Sequence, residues 1–520
     1  MAGNSRLRLW PLWVLLILDV AIVLWIWRGE TDQRQARVMT TMGIQLIMFL
    51  LGGMHLLFFA KLSGKTRQRL LIGGIAFAIV LFATVEIREV SGDVVPILAW
   101  RWSKPPEARL ANEDHLGKTG TENGGVSALP SSPRFLGPNG NGIYDGPELT
   151  TDWAANPPQE VWRIDIGSGW SGFATIGNLA LTQEQRGDKE MITCYDLHTG
   201  ELVWAQGYEQ RYESTIAGDG PRATPTIDRG LVFTMGASGH LTCTSLATGA
   251  MVWQHDLVAA YGARQPEWGF AGSPAVVGEA VLINAGGTNH RLLLAFNRES
   301  GELLWSSGGD RAGYSSPQLR TLAGEAVIVL LNQASVTFHR ASDGQVLLSE
   351  PWKPNQPNVA NPLVLPDDRV LVSSGYGVGA SMYQIRADGD RFTATRLWKN
   401  IRLKAKFANY VYLDQFVYGL DDGILTCIAI EDGSRQWKKG RYGHGQLVLV
   451  RDKLLIQSES GSLHLVLAQP EDRTELASLP VLSGKAWNMM TLAGDLLLMR
   501  NHREAVCLRL PTKPDPAMPN

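Results

Sequence analysis

The chain has 520 residues, of which 45% are hydrophobic, and it contains 55 glycines, 17 tryptophans and a formal net charge of −2. It is too long for one ordinary domain, and its composition is that of a folded chain and not of a disordered one. The near-neutral charge, without a basic stripe of interleaved aromatic residues, excludes nucleic acid as a predicted partner.

Residues 1–102 are predicted to form a membrane anchor. Apolar stretches at about residues 9–27, 38–60 and 70–87 are long enough to cross the hydrocarbon core of a bilayer. The first stretch is longer than the apolar core of a signal peptide, and no small-residue cleavage site follows it. The sequence therefore predicts three transmembrane helices, with the lipid bilayer as a partner.

Basic residues gather on one side of these predicted spans. By the positive-inside rule, that side faces the cytoplasm. The remainder of the chain is then expected on the other side, which for the inner membrane of a bacterium is the periplasm. The basic residues that set this orientation are Arg6, Arg8, Lys61, Lys65, Arg67 and Arg69.

Three polar residues, Asp19, Gln45 and His55, fall inside the predicted spans. Polar side chains are costly within a bilayer and often have a function there. Two interpretations are open: the side chains pair from helix to helix, or the anchor itself carries an activity through Asp19 and His55. A single histidine does not provide a bis-histidine haem site.

Residues 103–134 are rich in Pro, Gly, Ser, Asn and charge and have hardly any apolar periodicity, which predicts a flexible linker. A repeating domain is predicted over residues 135–513, followed by a short tail at 514–520.

A motif recurs through the repeating domain. In its clearest copy an apolar strand begins near Cys194, a turn ends at Gly200, and a second strand contains Trp204. Because Cys243 and Cys427 occupy the position of Cys194 in other copies, the cysteines are predicted to be buried strand residues and not metal ligands. The other copies with this glycine-to-tryptophan spacing are Gly249 with Trp253, Gly301 with Trp305, and Gly433 with Trp437.

A second series gives the period of the repeat, because short polar-Pro pairs open apolar strands about 45 residues apart. This period, with several strands in each repeat, predicts an all-β fold, an eight-bladed β-propeller. A parallel β-helix has shorter repeats. The strand Glu160–Ile166 is predicted to complete the last blade and so to close the ring. The pairs are Thr224-Pro225, Ser273-Pro274, Ser316-Pro317 and Asn361-Pro362.

The pattern Asp/Asn-x-x-Thr/Ser-Gly-x-x-x-Trp, at Asp196–Trp204 and Asn297–Trp305, resembles the tryptophan-docking repeat of the pyrroloquinoline-quinone (PQQ)-like eight-bladed propellers. The resemblance implies that each such tryptophan packs between neighbouring blades. That superfamily includes quinoprotein dehydrogenases, which use PQQ and Ca²⁺, and also a non-catalytic lipoprotein of the outer-membrane β-barrel assembly machinery. The fold therefore leaves the function open.

The segments that lead into the inner strands are predicted to gather at one mouth of the central channel. Their Trp, Asn, Lys and Arg side chains suit a planar anionic ligand. The alternative interpretation is that the aromatic side chains plug the channel and the polar groups cap strand ends. The residues predicted to bind a cofactor are Trp170, Arg222, Trp268, Lys404, Lys406, Asn409 and Trp487. The residues predicted to bind a metal are Glu213, Glu267 and Asn361.

Two functions remain as hypotheses. The first is a non-catalytic binding platform for other envelope proteins, because the repeat is intact and the chain lacks the adjacent cysteine pair typical of quinoprotein dehydrogenases. The alternative is a PQQ-dependent dehydrogenase that oxidises an alcohol or a sugar and passes electrons to membrane quinone. No catalytic residue is predicted.

Overall fold

The computed structural model describes residues 9–28, 34–103, 110, 130–287 and 289–513. The chain divides into an N-terminal unit, which ends at Lys104, and a unit formed by nearly all of the remaining chain. Most of the predicted linker, residues 103–134, and the predicted tail, residues 514–520, lie outside the described residues.

The N-terminal unit contains helices where the sequence predicts spans, followed by a β-hairpin. The third helix ends at Thr84 and not at residue 87, because the chain continues as a strand from Val85. The helices are Trp10–Ile26, Arg34–Met54 with a π-helical continuation His55–Phe59, and Gly64–Thr84. The hairpin strands are Val85–Val90 and Pro96–Trp100.

Two of the helical segments are long and apolar enough to cross a membrane. These are Arg34–Phe59, with a mean hydropathy of 1.9, and Gly64–Thr84, with a mean hydropathy of 1.4. Trp10–Ile26 is a shorter apolar helix of 17 residues, whereas a full span needs about 20. The prediction of three spans is therefore reduced to two candidate spans and one shorter apolar helix.

The first two helices are joined by polar contacts. The amide Nε2 of Gln45 donates to both carboxylate oxygens of Asp19, each at 3.0 Å. The indole N–H of Trp27 donates to Thr41 Oγ1, also at 3.0 Å. Asp19 and Gln45 thus pair from helix to helix, as in the first of the two interpretations of these residues.

The second unit is an eight-bladed β-propeller, as predicted. The propeller consists of antiparallel sheets of four strands, and we number these sheets as blades 1 to 8 in chain order. Within each blade the first strand lies next to the channel and the fourth strand is the outermost. Blade 1 consists of Ala174–Ile176, Leu179–Arg186, Lys189–Asp196 and Leu202–Glu209. Blade 2 consists of Thr226–Asp228, Leu231–Met235, His240–Ser245 and Met251–Asp256, and the short helix Leu257–Tyr261 follows it. Blade 3 consists of Ala275–Val277, Ala280–Gly287, Arg291–Asn297 and Leu303–Ser307. Blade 4 consists of Gln318–Leu322, Glu325–Leu331, Ser335–Arg340 and Val346–Pro351.

The second half of the ring repeats this arrangement. Blade 5 consists of Leu363–Leu365, Arg369–Ser374, Gly379–Asp388 and Arg391–Asn400. Blade 6 consists of Val411–Leu413, Phe416–Asp421, Ile424–Ala429 and Arg435–Arg441. Blade 7 consists of Gln446–Val450, Lys453–Gln457, Ser462–Leu467 and Thr474–Pro480. Blade 8 consists of Thr491–Ala493, Leu496–Arg500 and Glu504–Arg509, with Gln159–Asp165 as its outermost strand.

The outermost strand of blade 8 comes from the N-terminal end of the propeller. Gln159–Asp165 pairs antiparallel with Glu504–Arg509, and Trp162 lies opposite Cys507 in this ladder. The predicted closure is therefore confirmed. It joins the two ends of the propeller sequence in one sheet and removes an exposed sheet edge.

Tryptophans hold successive blades together. The indole N–H of Trp204 donates to the carbonyl of Leu246 in blade 2 at 2.9 Å, and its ring covers the turn glycine of that blade, Gly249. Glycine is required there because φ is +75° and a side chain would strike the ring. The indoles that make this hydrogen bond to the next blade are Trp162, Trp204, Trp253, Trp398 and Trp437.

The hydrophobic core lies between the blades, where the second and third strands of each sheet are almost wholly buried. In blade 3, for example, the side chains of Leu292–Phe296 are fully buried. Full burial of such an apolar side chain stabilises the fold by roughly 1.5–3 kcal/mol. All four cysteines are buried and unpaired in these strands, as predicted.

The chain that precedes blade 1 forms hydrogen bonds with the inner strands of several blades. We call residues 132–146 the channel segment. Its strand Ile143–Tyr144 pairs in parallel with the inner strand of blade 7, so this part of the chain lies against the inner strands. Its hydrogen bonds reach Thr175 of blade 1, Ile227 of blade 2, Gln318 of blade 4 and Leu492 of blade 8.

Candidate functional site

The segments that lead into the inner strands all lie on one face of the propeller, which we call the rim face. In an antiparallel four-stranded blade, the turns alternate between the two faces. The turn between the second and third strands therefore shares the rim face with these segments. The turn between the third and fourth strands, such as 197–201, lies on the opposite face.

A ring of hydrogen bonds ties these segments together. At each step from blade 2 to blade 6, the backbone N–H at a strand start donates to a side-chain oxygen at the strand start of the next blade. The pairs are Thr224 to Ser273, Ser273 to Ser316, Ser316 to Asn361, and Asn361 to Asn409, at 2.7–2.9 Å.

Amide side chains continue the ring to its starting point. Gln446 Nε2 donates to the carbonyls of Phe407 and Trp487, at 3.1 and 2.9 Å. Asn488 Nδ2 donates to the carbonyl of Ser171 at 2.8 Å, and Gly172 N–H donates to Thr224 Oγ1 at 3.2 Å. The side-chain oxygens of Asn361 and Asn409 thus hold neighbouring blades in register.

Aromatic side chains meet across the mouth on the rim face. Ring centroids are 5.0 Å apart for Trp170 and Trp487, 5.1 Å for Trp487 and Phe407, and 6.0 Å for Phe407 and Trp268. Because these residues come from segments of four different blades, their contacts bridge the mouth. We call the set the aromatic cluster: Trp170, Trp268, Tyr314, Tyr376, Phe407 and Trp487.

Two lysines lie over rings of this cluster. Lys485 Nζ is 4.2 Å from the ring centre of Trp487 and 4.9 Å from that of Trp170. Lys406 Nζ is 4.9 Å from the ring centre of Tyr376. An ammonium group over an aromatic face is held electrostatically, so both cations are positioned by the cluster.

Two further cations predicted from the sequence have other contacts. Lys404 pairs with Asp421, a fully buried carboxylate that also receives Lys438 Nζ at 2.6 Å. Arg222 lies 4.3 Å over the ring of Tyr212 and donates to the carbonyl of Gly218 at 2.6 Å. A buried charge needs such partners to offset its loss of hydration, and these contacts explain why both side chains are held in place.

The three residues predicted to bind a metal have different surroundings. Glu213 is exposed and pairs with Arg211 at 2.5 Å, Glu267 is exposed, and Asn361 Oδ1 accepts the backbone N–H of Ser316. Ca²⁺ needs six to eight oxygens gathered in one place. These residues do not fit such a site, and the described part of the chain holds no group of three or more His, Cys, Asp or Glu side chains that could bind a metal.

Four members of this arrangement were not among the residues predicted to bind a cofactor. Tyr314, Phe407 and Lys485 lie within segments that the repeat places at the rim, so their position was available as a signal. Tyr376 comes from the turn between the second and third strands of blade 5, and nothing in the repeat marks that turn as part of the site.

The sequence also matches a family of known proteins. The family model described as "Outer membrane protein assembly factor BamB" matches residues 188–439. Over these residues the chain is similar to the PQQ-like repeat propellers. No curated protein sequence matches it.

Solved structures share the propeller fold of this chain. BamB from Moraxella catarrhalis is similar with 13% identity and a TM-score of 0.50, over 68% of this chain and 100% of that chain. Quinohemoprotein alcohol dehydrogenase from Comamonas testosteroni has 10% identity and a TM-score of 0.50, over 75% of this chain and 82% of that one. Sqt1 from Saccharomyces cerevisiae has 11% identity and a TM-score of 0.50, over 68% and 99%. These similarities show the fold alone.

Proposed function

We propose that this PQQ-like propeller is a non-catalytic interaction platform that is anchored in a bacterial inner membrane and binds other envelope proteins through its rim face. The observation that carries the proposal is the aromatic cluster, whose rings contact one another across the channel mouth. A closed, partly aromatic surface is suited to contact with a macromolecule, since aromatic side chains dominate the energetics of protein interfaces.

The ring of hydrogen bonds supports the same function. Asn361 Oδ1, Asn409 Oδ1 and Gln446 Nε2 form hydrogen bonds between blades, so these side chains stiffen the rim. A rigid surface loses little conformational entropy on binding. The family description, an assembly factor for outer membrane proteins, is consistent with an interaction role in the cell envelope.

The anchor part of the proposal is supported by the N-terminal unit. Large apolar side chains such as Trp25, Phe49 and Phe82 are exposed on its helices, whereas the polar pair Asp19 and Gln45 is joined by hydrogen bonds. This is the arrangement expected of helices that face lipid. With the basic residues on the cytoplasmic side, we expect the propeller in the periplasm.

Site-specific photocrosslinking in cells tests the platform. A photoreactive amino acid at Glu267, exposed on the rim face, is expected to give a discrete adduct with a partner protein. The same amino acid at Arg391, exposed on the opposite face, is the matched control and is expected to give none. Trp268→Ala should weaken the adduct. Equal adducts from both faces, insensitive to Trp268→Ala, would overturn the proposal.

A PQQ-dependent dehydrogenase is the second candidate. The observation that favours it is Lys485 over the rings of Trp170 and Trp487, which is a combination suited to a planar anion. The predicted Ca²⁺ ligands do not fit, as described above. Reduction of an artificial electron acceptor by an alcohol or a sugar, after incubation of the purified protein with PQQ and Ca²⁺, would replace the platform proposal with this one.

A further inference from the structure

A polar cleft of about 370 Å³ opens on the rim face beside the aromatic cluster. It lies between the loops that lead into blades 3, 4 and 5, and the side chain of Tyr314 belongs both to the cleft and to the cluster. Its volume is at the lower end of the range for ligand pockets, about 300–1,000 Å³. The charged side chains that line it are Arg264, Arg311 and Glu267, so two guanidinium groups and one carboxylate belong to the cleft. The amide side chains used in the argument below are Gln265, Gln333, Gln356 and Asn358.

Two guanidinium groups stand on different walls of this cleft. Arg264 lies on the loop before blade 3 and Arg311 on the loop before blade 4, and both are exposed. Other propeller arginines, such as Arg298 and Arg340, have carboxylates within 3.1 Å. Among the described residues, no carboxylate lies within salt-bridge distance of Arg264 or Arg311. Both are therefore available to an anionic ligand.

The floor of the cleft is rigid. Asn358 Nδ2 donates to the carbonyls of Asn332 and Gln333 at 2.9 and 3.0 Å, and its Oδ1 accepts the hydroxyl of Ser374 at 2.8 Å. The carbonyl of Asn358 accepts the backbone N–H of Tyr314 at 2.8 Å. These bonds fix the loops before blades 4 and 5 relative to each other, so the two walls that these loops form are preorganised.

We propose that this cleft binds an extended peptide segment of the partner protein that carries acidic side chains. Guanidinium groups form paired hydrogen bonds with carboxylates. The amides of Gln265, Gln333 and Gln356 can donate to and accept from peptide groups. The small volume accommodates a short segment and not a folded surface. This inference deepens the proposed function and rests on it.

The test uses the full-length protein in detergent and a short fluorescein-labelled peptide of alternating Glu and Gly, with a Gln-Gly peptide as the neutral counterpart. Fluorescence anisotropy is expected to show binding of the Glu peptide, at least tenfold tighter than the Gln peptide and weaker at high salt. Arg264→Gln and Arg311→Gln should each weaken binding about tenfold, which corresponds to about 1.4 kcal/mol. Arg391→Gln makes the same change of charge on the opposite face and should leave binding unchanged.

Two outcomes would overturn the inference directly: no preference for the Glu peptide over the Gln peptide, or equal binding of the Glu peptide to the wild type and to Arg264→Gln and Arg311→Gln. A third is displacement of the Glu peptide by free glutarate, when the glutarate concentration equals the peptide concentration that gives half-saturation. The last outcome would show a site for small dicarboxylates. Failure of the peptide to bind, while the crosslinked adduct at Glu267 persists and depends on Trp268, would remove this inference and leave the platform intact. Loss of the adduct as well would remove both.

Discussion

The ring of Trp204 covers Gly249 of the next blade so closely that a Cβ atom on Gly249 would lie 2.5 Å from Cε3 of the indole. The contact repeats around the propeller, and it includes Trp162 of the closing strand against Gly200 of blade 1. The recurrent glycine and tryptophan of the sequence are therefore two halves of one interface between successive blades.

Gly249→Ala is expected to lower the free energy of unfolding by roughly 2–4 kcal/mol, because strain at a positive φ adds to overpacking against Trp204. Thermal unfolding of the full-length protein, followed by near-UV circular dichroism, measures the change. Gly230→Ala is the matched control: its φ is +80° but no atom lies within 4 Å of the added Cβ, so it carries the backbone strain alone and should cost about 1 kcal/mol. Equal losses in the two variants would contradict the contact.

Trp162→Ala is expected to destabilise the propeller by about 3–5 kcal/mol. This side chain is buried, lies on the one strand that closes the ring, and donates to the carbonyl of Leu197 at 2.8 Å. Limited proteolysis should cut the chain around residues 150–166 faster in this variant than in the wild type.

Trp162→Phe is the control for that change. It keeps most of the buried ring and loses the indole hydrogen bond, so its cost should be about 1 kcal/mol. A Trp162→Ala variant as stable as Trp162→Phe, with unchanged proteolysis, would show that the closing strand contributes little.

The closure at Trp162 also shows what the sequence can predict. The repeat predicts the number of blades, the position of each strand start and the extra strand at one end that completes the last blade, because all these depend on local patterns of spacing. The repeat does not predict which neighbouring side chains each residue of a rim segment contacts. Lys404 and Lys406 lie two residues apart in one segment, yet Lys404 pairs with Asp421 and Lys406 lies over Tyr376. Such contacts depend on the packing of neighbouring blades.

Glu184 forms a buried ionic cluster at the junction of blades 8 and 1. Its carboxylate accepts from Arg186 at 3.0 Å and from the hydroxyl of Tyr195 at 2.7 Å, and the buried Arg500 adds its charge. Glu184→Gln is expected to cost about 3–5 kcal/mol, because it leaves buried cations without their counter-charge. Glu279→Gln, which changes an exposed partner of Arg298, is the matched control and should have little effect.

The same cluster predicts sensitivity to acid. Burial alone would raise the pKa of Glu184, but the charges of Arg186 and Arg500 and its hydrogen bonds outweigh burial and lower the pKa below its usual value of 4.5. A carboxyl group with a lowered pKa stabilises the fold fully above its unfolded pKa, and this stability is lost as the pH falls through the folded pKa. As the pH is lowered past about 4.5, the unfolding temperature of the wild type should therefore decrease. The part of this decrease that is due to Glu184 should be absent in Glu184→Gln. If the unfolding temperature of the variant fell as steeply with decreasing pH as that of the wild type, this prediction would be contradicted.

Glu190 is expected to affect the pH dependence of stability in the opposite direction, because it destabilises the fold as the pH rises. Its buried carboxyl group accepts from the hydroxyl of Tyr208 at 2.6 Å and from the backbone N–H of Ala237 at 3.1 Å, and burial raises its pKa to about 7. Between the unfolded pKa near 4.5 and this folded value, the folded protein holds a proton that the unfolded chain has lost, so stability falls as the pH rises. The loss of stability should reach about 3 kcal/mol above pH 7.

Glu190→Gln, which keeps a neutral side chain at every pH, should be more stable than the wild type at pH 8 and nearly equal to it at pH 5. Unfolding temperatures of both proteins across this range measure the effect, and parallel pH profiles would show that Glu190 does not titrate in this window.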